Sequence, residues 1–307
     1  MLDEAAFLYS YLETLDPKYP TDAFLLDERE YFLGETARIA AAVSRQLAHR
    51  EEAKHWLDLA EGWFLLTENA AGNLSKISYQ RLALRFEERD FHSVRQLLPQ
   101  LIMSFERLEM RDDALKSRLL GALLLKETNE LPAAITALNE VVTEARESKN
   151  DILMAWAYVN LVQIHGLLGN VDSAVSEAKA ASPILLRVGN RIGLAKMQWG
   201  IGFLLRSKGD FTAAIEAYRR AQDEFSELNM RADAAAVYLV IADLLIDNGR
   251  DKQAEWEIRQ ALPIIDEYKL VPEGFAALTM LRESVRRQSI DRQALRNLHG
   301  YVEELSS

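Results

Sequence analysis

The sequence predicts an all-α chain of antiparallel helix pairs stacked into one array, and three observations lead there. The 307 residues are 49% hydrophobic but only 8% aromatic, so Ala and Leu supply most of the apolar content, as in helices packed on helices. Fourteen glycines and seven prolines are too few for a turn-rich β protein. A pattern of small residues also recurs every forty positions, and a fixed period of that size signals a repeat architecture. A single compact core would be near its size limit at this length. No Gly/Ser-rich or Pro-rich stretch divides the chain, so an array is expected rather than two linked domains.

The repeating unit is a turn residue, two further positions, then a small residue that opens an amphipathic helix. GDFTAAIEAYRRA begins at Gly209 and spaces Ala214, Tyr218 and Ala221 four and three apart. Forty residues later GRDKQAEWEIRQAL sets Ala254, Ile258 and Ala261 in the same places; forty residues earlier GNVDSAVSEAKAA sets Ala174, Ala178 and Ala181 there. The leading position runs Ala53, Val94, Ala134, Ala174, Ala214, Ala254 and Ala294, with one spacing of 41 and five of 40. Small residues at these points let two helices cross closely. Gly169, Gly209 and Gly249 fall in the turn within a pair, where a left-handed cap suits glycine, and Asn129 holds that slot one repeat upstream.

The stretch WGIGFLLRSKGDFTAAIEAYRRA, residues 199–221, resembles a tetratricopeptide repeat, with Gly202, Ala214, Tyr218 and Ala221 on its most diagnostic positions. Tyr238, Ile241, Ala254 and Ala261 match in the next repeat. The usual repeat has about 34 residues. The forty-residue version is similar to the longer-helix group that includes kinesin light chains, MalT-type regulators and Rap-type bacterial signalling proteins. The resemblance covers nearly the whole chain and implies a right-handed superhelical solenoid. The first two repeats are degenerate, since Val94 replaces alanine and no glycine marks either turn.

Taken from the N-terminus, DEAAFLYSYLETLDP (residues 3–17) resembles the second helix of a repeat, closed by Asp-Pro and lacking its partner. Residues 1–20 are therefore expected to form an orphan helix, either a natural cap or the edge of a longer protein with an upstream domain. Residues 21–270 are expected to hold about six helix pairs of a single solenoid. Residues 271–307 are expected to form a capping pair, because terminal repeats meet water on one face and depart from the pattern. Arg282 there stands where earlier repeats carry small or apolar residues. The arginine-rich stretch RESVRRQSIDRQALR, residues 282–296, reads as a solvated cap surface; docking to an acidic partner or neighbouring domain is the sharper alternative. Pro183 and Pro263, 80 apart and each within a second helix, are expected to bend it and tune curvature.

Catalytic candidates are poor. The five histidines, His49, His55, His92, His165 and His299, are scattered without metal-like partners at i+4, and His165 stands within an apolar stripe as a structural histidine. There is no cysteine, no G-x-S-x-G, no Walker loop and no dinucleotide fingerprint. No enzyme activity, no cofactor and no metal are expected. A net charge of −11 argues against direct nucleic-acid binding, which needs a basic footprint. No run of 18 apolar residues exists, so no membrane partner is expected. The start, MLDEAAFLYSYL, lacks the basic region of a signal peptide, which makes a cytoplasmic setting the expectation.

The face that lines the groove in tetratricopeptide arrays lies about 100° from the packing stripe of each first helix. In the best repeat it holds Lys196, Trp199, Phe203 and Arg206, spaced 3, 4 and 3. Shifting by the period gives Lys76, Tyr79, Ala83 and Phe86, then Lys116, Leu119, Leu123 and Lys126, then Trp156, Val159, Gln163 and Gly166 with Asn160 alongside. The next repeat gives Ala236, Leu239, Asp243 and Ile246, and the degenerate first repeat Glu35, Arg38, Ala42 and Arg45. Seven cations on this stripe oppose the net charge of the chain, so an acidic or carboxylate-bearing segment is the expected ligand, with aromatics as anchors. The resemblance implies extended-peptide binding, with Asn160 matching the asparagine that meets the peptide backbone. A non-enzymatic protein- or peptide-binding scaffold in bacterial regulation is therefore expected. The alternatives are a ligand-sensing domain of a larger transcription regulator, or an assembly subunit that self-associates through its capping faces.

Overall fold

The computed structural model describes residues 2–14, 28–68, 70–267, 272–286 and 289–306. Among them are fifteen helices and no strand. Helix α1 (Leu2–Glu13) packs on α2 (Arg29–Gln46), which turns into α3 (Arg50–Phe64). The hairpins that follow join α4 (Ala71–Glu87) to α5 (Phe91–Arg107), α6 (Arg111–Glu127) to α7 (Leu131–Glu147) and α8 (Asp151–Leu167) to α9 (Val171–Arg187). Then α10 (Arg191–Lys208) joins α11 (Phe211–Glu227), α12 (Arg231–Asp247) joins α13 (Asp251–Ile265), and α14 (Pro272–Arg286) precedes α15 (Arg292–Ser306).

From α4 to α13 a helix begins every twenty residues, at 71, 91, 111 and onward to 251. The turns set this beat. Residues 89, 109, 129, 149, 169, 189, 209, 229 and 249 all have positive φ. At such a residue the helix ends in a double closure: Gly209 N–H donates to Arg206 C=O and Asp210 N–H to Leu205 C=O, both at 3.0 Å. The expected Gly169, Gly209, Gly249 and Asn129 are all left-handed. Arg89 (φ 63°) and Ala48 (φ 60°) do the same work in the two turns without glycine. The side chains of Asp90, Asn150, Asn190 and Asp210 then accept from the N–H three residues on, capping the next helix.

The forty-residue register is a packing register. Ala53, Val94, Ala134, Ala174, Ala214, Ala254 and Ala294 are each at most 2% exposed. At Gly202 a Cβ would lie 2.7 Å from the Tyr218 ring, so that crossing needs glycine. Burial also pushes the Tyr218 hydroxyl up to about 12. Pro183 and Pro263 lie inside α9 and α13 as expected, and Pro99 inside α5 is a third case.

The chain divides into two compact units, Met1–Leu153 and Met154–Ser307. In the first, Tyr9 and Leu12 of α1 join a core with Leu33, Leu57 and Phe64, and Trp63 Nε1 donates to Tyr9 Oη at 2.7 Å. The closing Asp16-Pro17 of the expected orphan helix lies outside the described residues. In the second unit, a core runs from Ala195 and Tyr218 through α12 to Leu281, Leu295, Leu298 and Val302. Helix α12, RADAAAVYLVIADLLID, is buried on nearly every side, Asp243 included, so it is covered by more than its own hairpin. Its cover includes α15, which packs on α12 as well as on α14.

Candidate ligand face on the first helices

In the first unit α2, α4 and α6 lie side by side. Tyr79 on α4 is half-buried; burial raises its hydroxyl pKa, Arg45 of α2 lowers it and Asp113 of α6 raises it again, so the ring sits between both neighbours. Lys76 shares its helix and is half-buried. Lys116 is exposed, 3.5 Å from Asp113. Lys126, half-buried, lies 3.9 Å from Glu127, and burial lowers its pKa. Arg38 pairs with Glu35 at 2.6 Å, and Arg45 pairs with Glu87.

In the second unit Trp156 on α8 is 52% exposed and Gln163 is exposed, whereas Asn160 is buried, with Nδ2 donating to the Trp156 carbonyl at 2.8 Å. On α10, Lys196 and Phe203 are exposed while Trp199 and Arg206 are half-buried. Lys196 faces Asp233, whose carboxyl pKa burial raises and Lys196 lowers. Trp199, Phe203 and Arg206 line one cavity of about 300 Å³ with Asp243 of α12 and with Arg296 and His299 of α15.

Asp243 organises that cavity. Its side chain is 7% exposed and meets three arginines: Arg206 Nη2 at 2.5 Å, Arg292 Nε at 2.8 Å and Arg296 Nε at 3.2 Å. Burial pushes its carboxyl pKa up, but Arg292 and Arg206 outweigh that and hold it below the ordinary value. Arg292 also bonds Asp247. His299 stacks flat on Trp199, with ring centroids 6.1 Å apart at 9°. Tyr218 and Phe225 meet the same indole edge-on at 5.9 and 6.4 Å. Burial lowers the imidazole pKa against the pull of Glu303, 3.7 Å away, and Nε2 is buried without a hydrogen-bond partner.

The soluble NSF attachment protein family, SNAP, matches by its sequence model over residues 112–259, just under half of the chain. No curated protein matches significantly. Among solved structures, a Pyrococcus horikoshii signal transduction ATPase with numerous domains and a tetratricopeptide repeat sensor superposes with a TM-score of 0.70 at 12% identity. The match covers 98% of this chain and 47% of that one. A Rap protein complexed with competence and sporulation factor gives 0.58 at 15% identity, covering 99% and 86%. A Rap conjugation gene regulator in complex with the Phr* peptide gives 0.56 at 16%, covering 91% and 76%. The fold of this chain is that of tetratricopeptide-type helical repeats.

Two expectations for the repeat face change. Five of the seven stripe cations, Arg38, Arg45, Lys116, Lys126 and Arg206, lie within 4 Å of a carboxylate of the chain itself and Lys196 faces Asp233, so the stripe is less positive than its count of cations implies. The arginine-rich stretch is more than a solvated cap: Arg282 pairs with Asp266, and Arg292 and Arg296, both still partly exposed, meet Asp243. The side chains of Arg286 and Arg287 lie outside the described residues. The sequence put Asp243 on the groove stripe without a role, Arg296 within the arginine-rich stretch and His299 among the scattered histidines, and did not bring the three together. Their signals are weak ones, an acid on the groove stripe of α12 and cations four apart at 292 and 296. Among the described residues no three His, Cys, Asp or Glu side chains gather as a metal-holding group. No described helix is long and apolar enough to cross a membrane.

Proposed function

We propose that this chain is a non-enzymatic, regulatory scaffold that binds protein or peptide segments on the face of its first helices. The observation that carries the reading is the exposure of large apolar rings on that face: Phe203 is 62% and Trp156 52% exposed. Rings on a polar surface serve as contact anchors when they lie together with charged residues. The fold likeness to two peptide-complexed Rap proteins supports it at low identity. In the first unit Lys76, Lys116 and Lys126 are cations of this face and Tyr79 its half-buried ring, a combination that suits an acidic or carboxylate-bearing segment. In the second unit Trp156 and Gln163 on α8 and Lys196, Trp199, Phe203 and Arg206 on α10 form the corresponding surface, while Asn160, expected to meet a peptide backbone, is buried and bonded to the Trp156 carbonyl.

Short labelled peptides rich in Asp and Glu, titrated by fluorescence polarisation, test it. Binding is expected for the acidic set, weakened by added salt and reduced at least tenfold, about 1.4 kcal/mol, in Lys116→Glu. Binding that is indifferent to Lys116→Glu would sink the assignment to the first unit. A second reading, a sensor domain within a larger regulator, is favoured by the Pyrococcus neighbour, of which this chain spans about half. Coding sequence for an effector domain contiguous with this chain would distinguish it.

A further inference from the structure

The same stripe has different fates on neighbouring first helices of the second unit. On α10 Lys196 and Phe203 are exposed, whereas Ala236, Leu239 and Asp243 on α12 are buried. The cover is α15. A helix that only continued the stack would meet the last pair alone, yet α15 also reaches α10, where His299 lies flat on Trp199. It inserts Leu295, Leu298 and Val302, each at most 1% exposed, and its arginines close on Asp243 and Asp247.

The fit is incomplete. A cleft of about 300 Å³, open where Phe203 and Arg296 reach the surface, remains between α10, α12 and α15. His299 Nε2 is buried without a partner. Arginine–aspartate pairs stand where a permanent core would gain as much from apolar side chains, and such pairs are better at specifying a partner than at holding one. Phe203 is left exposed at the cavity margin.

We propose that α10 and α12 form a helix-docking surface, that α15 is its resident occupant, and that an outside protein segment displaces α15 by presenting the same pattern. That segment is an amphipathic helix with cations one turn apart, as at Arg292 and Arg296. Its apolar side chains stand where Leu295, Leu298 and Val302 stand, three, six and ten residues after the first cation. Asp243 and Asp247 read the cations, and Leu239 and Trp199 receive the apolar edge. The proposal rests on the reading of the first-helix face as a ligand surface. A tethered helix competes at an effective concentration of the order of millimolar, so the resident keeps weak segments out and admits only a tighter one.

The probe is a labelled peptide of residues 289–307 added to the full chain. Two variants unseat α15 without altering the receiving helices: Leu298→Asp and the pair Arg292→Glu with Arg296→Glu. The peptide is expected to bind either variant at least tenfold more tightly than the unaltered chain, and a peptide carrying Arg296→Glu is expected to lose that binding. Hydrogen exchange over 292–306 reports whether α15 has left, and the charge variant serves if Leu298→Asp fails to fold. Amides of α15 that stay protected in both variants would make it a fixed cap and overturn the proposal. So would equal peptide affinity for unaltered and released chains, or no binding by a chain whose α15 is demonstrably free. Acidic-peptide binding through Lys116 is unaffected by any of these results, so the two readings fail separately.

Discussion

Gly202 and Lys149 carry opposite consequences for stability. Alanine at 202 would put a Cβ 2.7 Å from a fully buried ring. Overpacking of that severity costs about 3 kcal/mol, and the better helix propensity of alanine returns about 1, for a net loss of about 2 kcal/mol. A Gly202→Ala protein with an unshifted denaturant midpoint would contradict the crossing. Lys149 is left-handed at φ 56° and exposed. Glycine there relieves a strain of roughly 1–2 kcal/mol at some entropic cost, so Lys149→Gly is expected to raise stability by about 1 kcal/mol, read as a higher thermal midpoint. Gly202 and Tyr218 were legible in the sequence because small and large residues alternate at fixed offsets. The left-handed Arg89, Glu109 and Lys149 were not, since no side-chain preference marks them and only the spacing of the flanking helices places them.

The terminal helix is where pH acts. His299 is held neutral by burial against Trp199, with Glu303, Arg206 and Asp243 as the charges that face it. A lowered folded-state pKa means that its contribution is complete above the unfolded value, about 6.5, and is lost as the pH falls through the folded one. The thermal midpoint and the protection of 292–306 are therefore expected to drop as the medium is acidified below that value. His299→Gln should flatten the slope, and a slope that survives it would assign the effect to another group. Asp243, held below its ordinary range, adds a second loss at still lower pH. The amphipathic pattern of α15 was legible, but a one-sided apolar helix does not say which surface it will cover. The all-round burial of α12 supplies the answer in the structure, because that helix takes one more neighbour than its own hairpin provides.

At the scale of the hairpins, exposed ion pairs close the open ends of single helix pairs, as in Arg191 with Glu227 and Arg231 with Glu267. Such pairs are largely exposed and contribute little each, so the buried register carries the stability. In an array each repeat depends mainly on its neighbours. Ala134→Leu, which forces bulk into a fully buried crossing, is expected to speed hydrogen exchange in α6 and α7 first and in adjoining hairpins next. An even rise over all helices would show the chain to be one cooperative block. The forty-residue period made the hairpins legible, while the pairing of the stripe cations depended on which carboxylates the packing brought within reach. The twenty-residue beat of the turns has a consequence for how such a chain changes length. One residue inserted within a helix turns everything after it by about 100°, which moves the register off its crossing and the ligand stripe off its face. Forty residues inserted at a turn add one hairpin and leave every face where it was. Length here is quantised, and a duplication that respects the quantum lengthens the first-helix face without redesigning it.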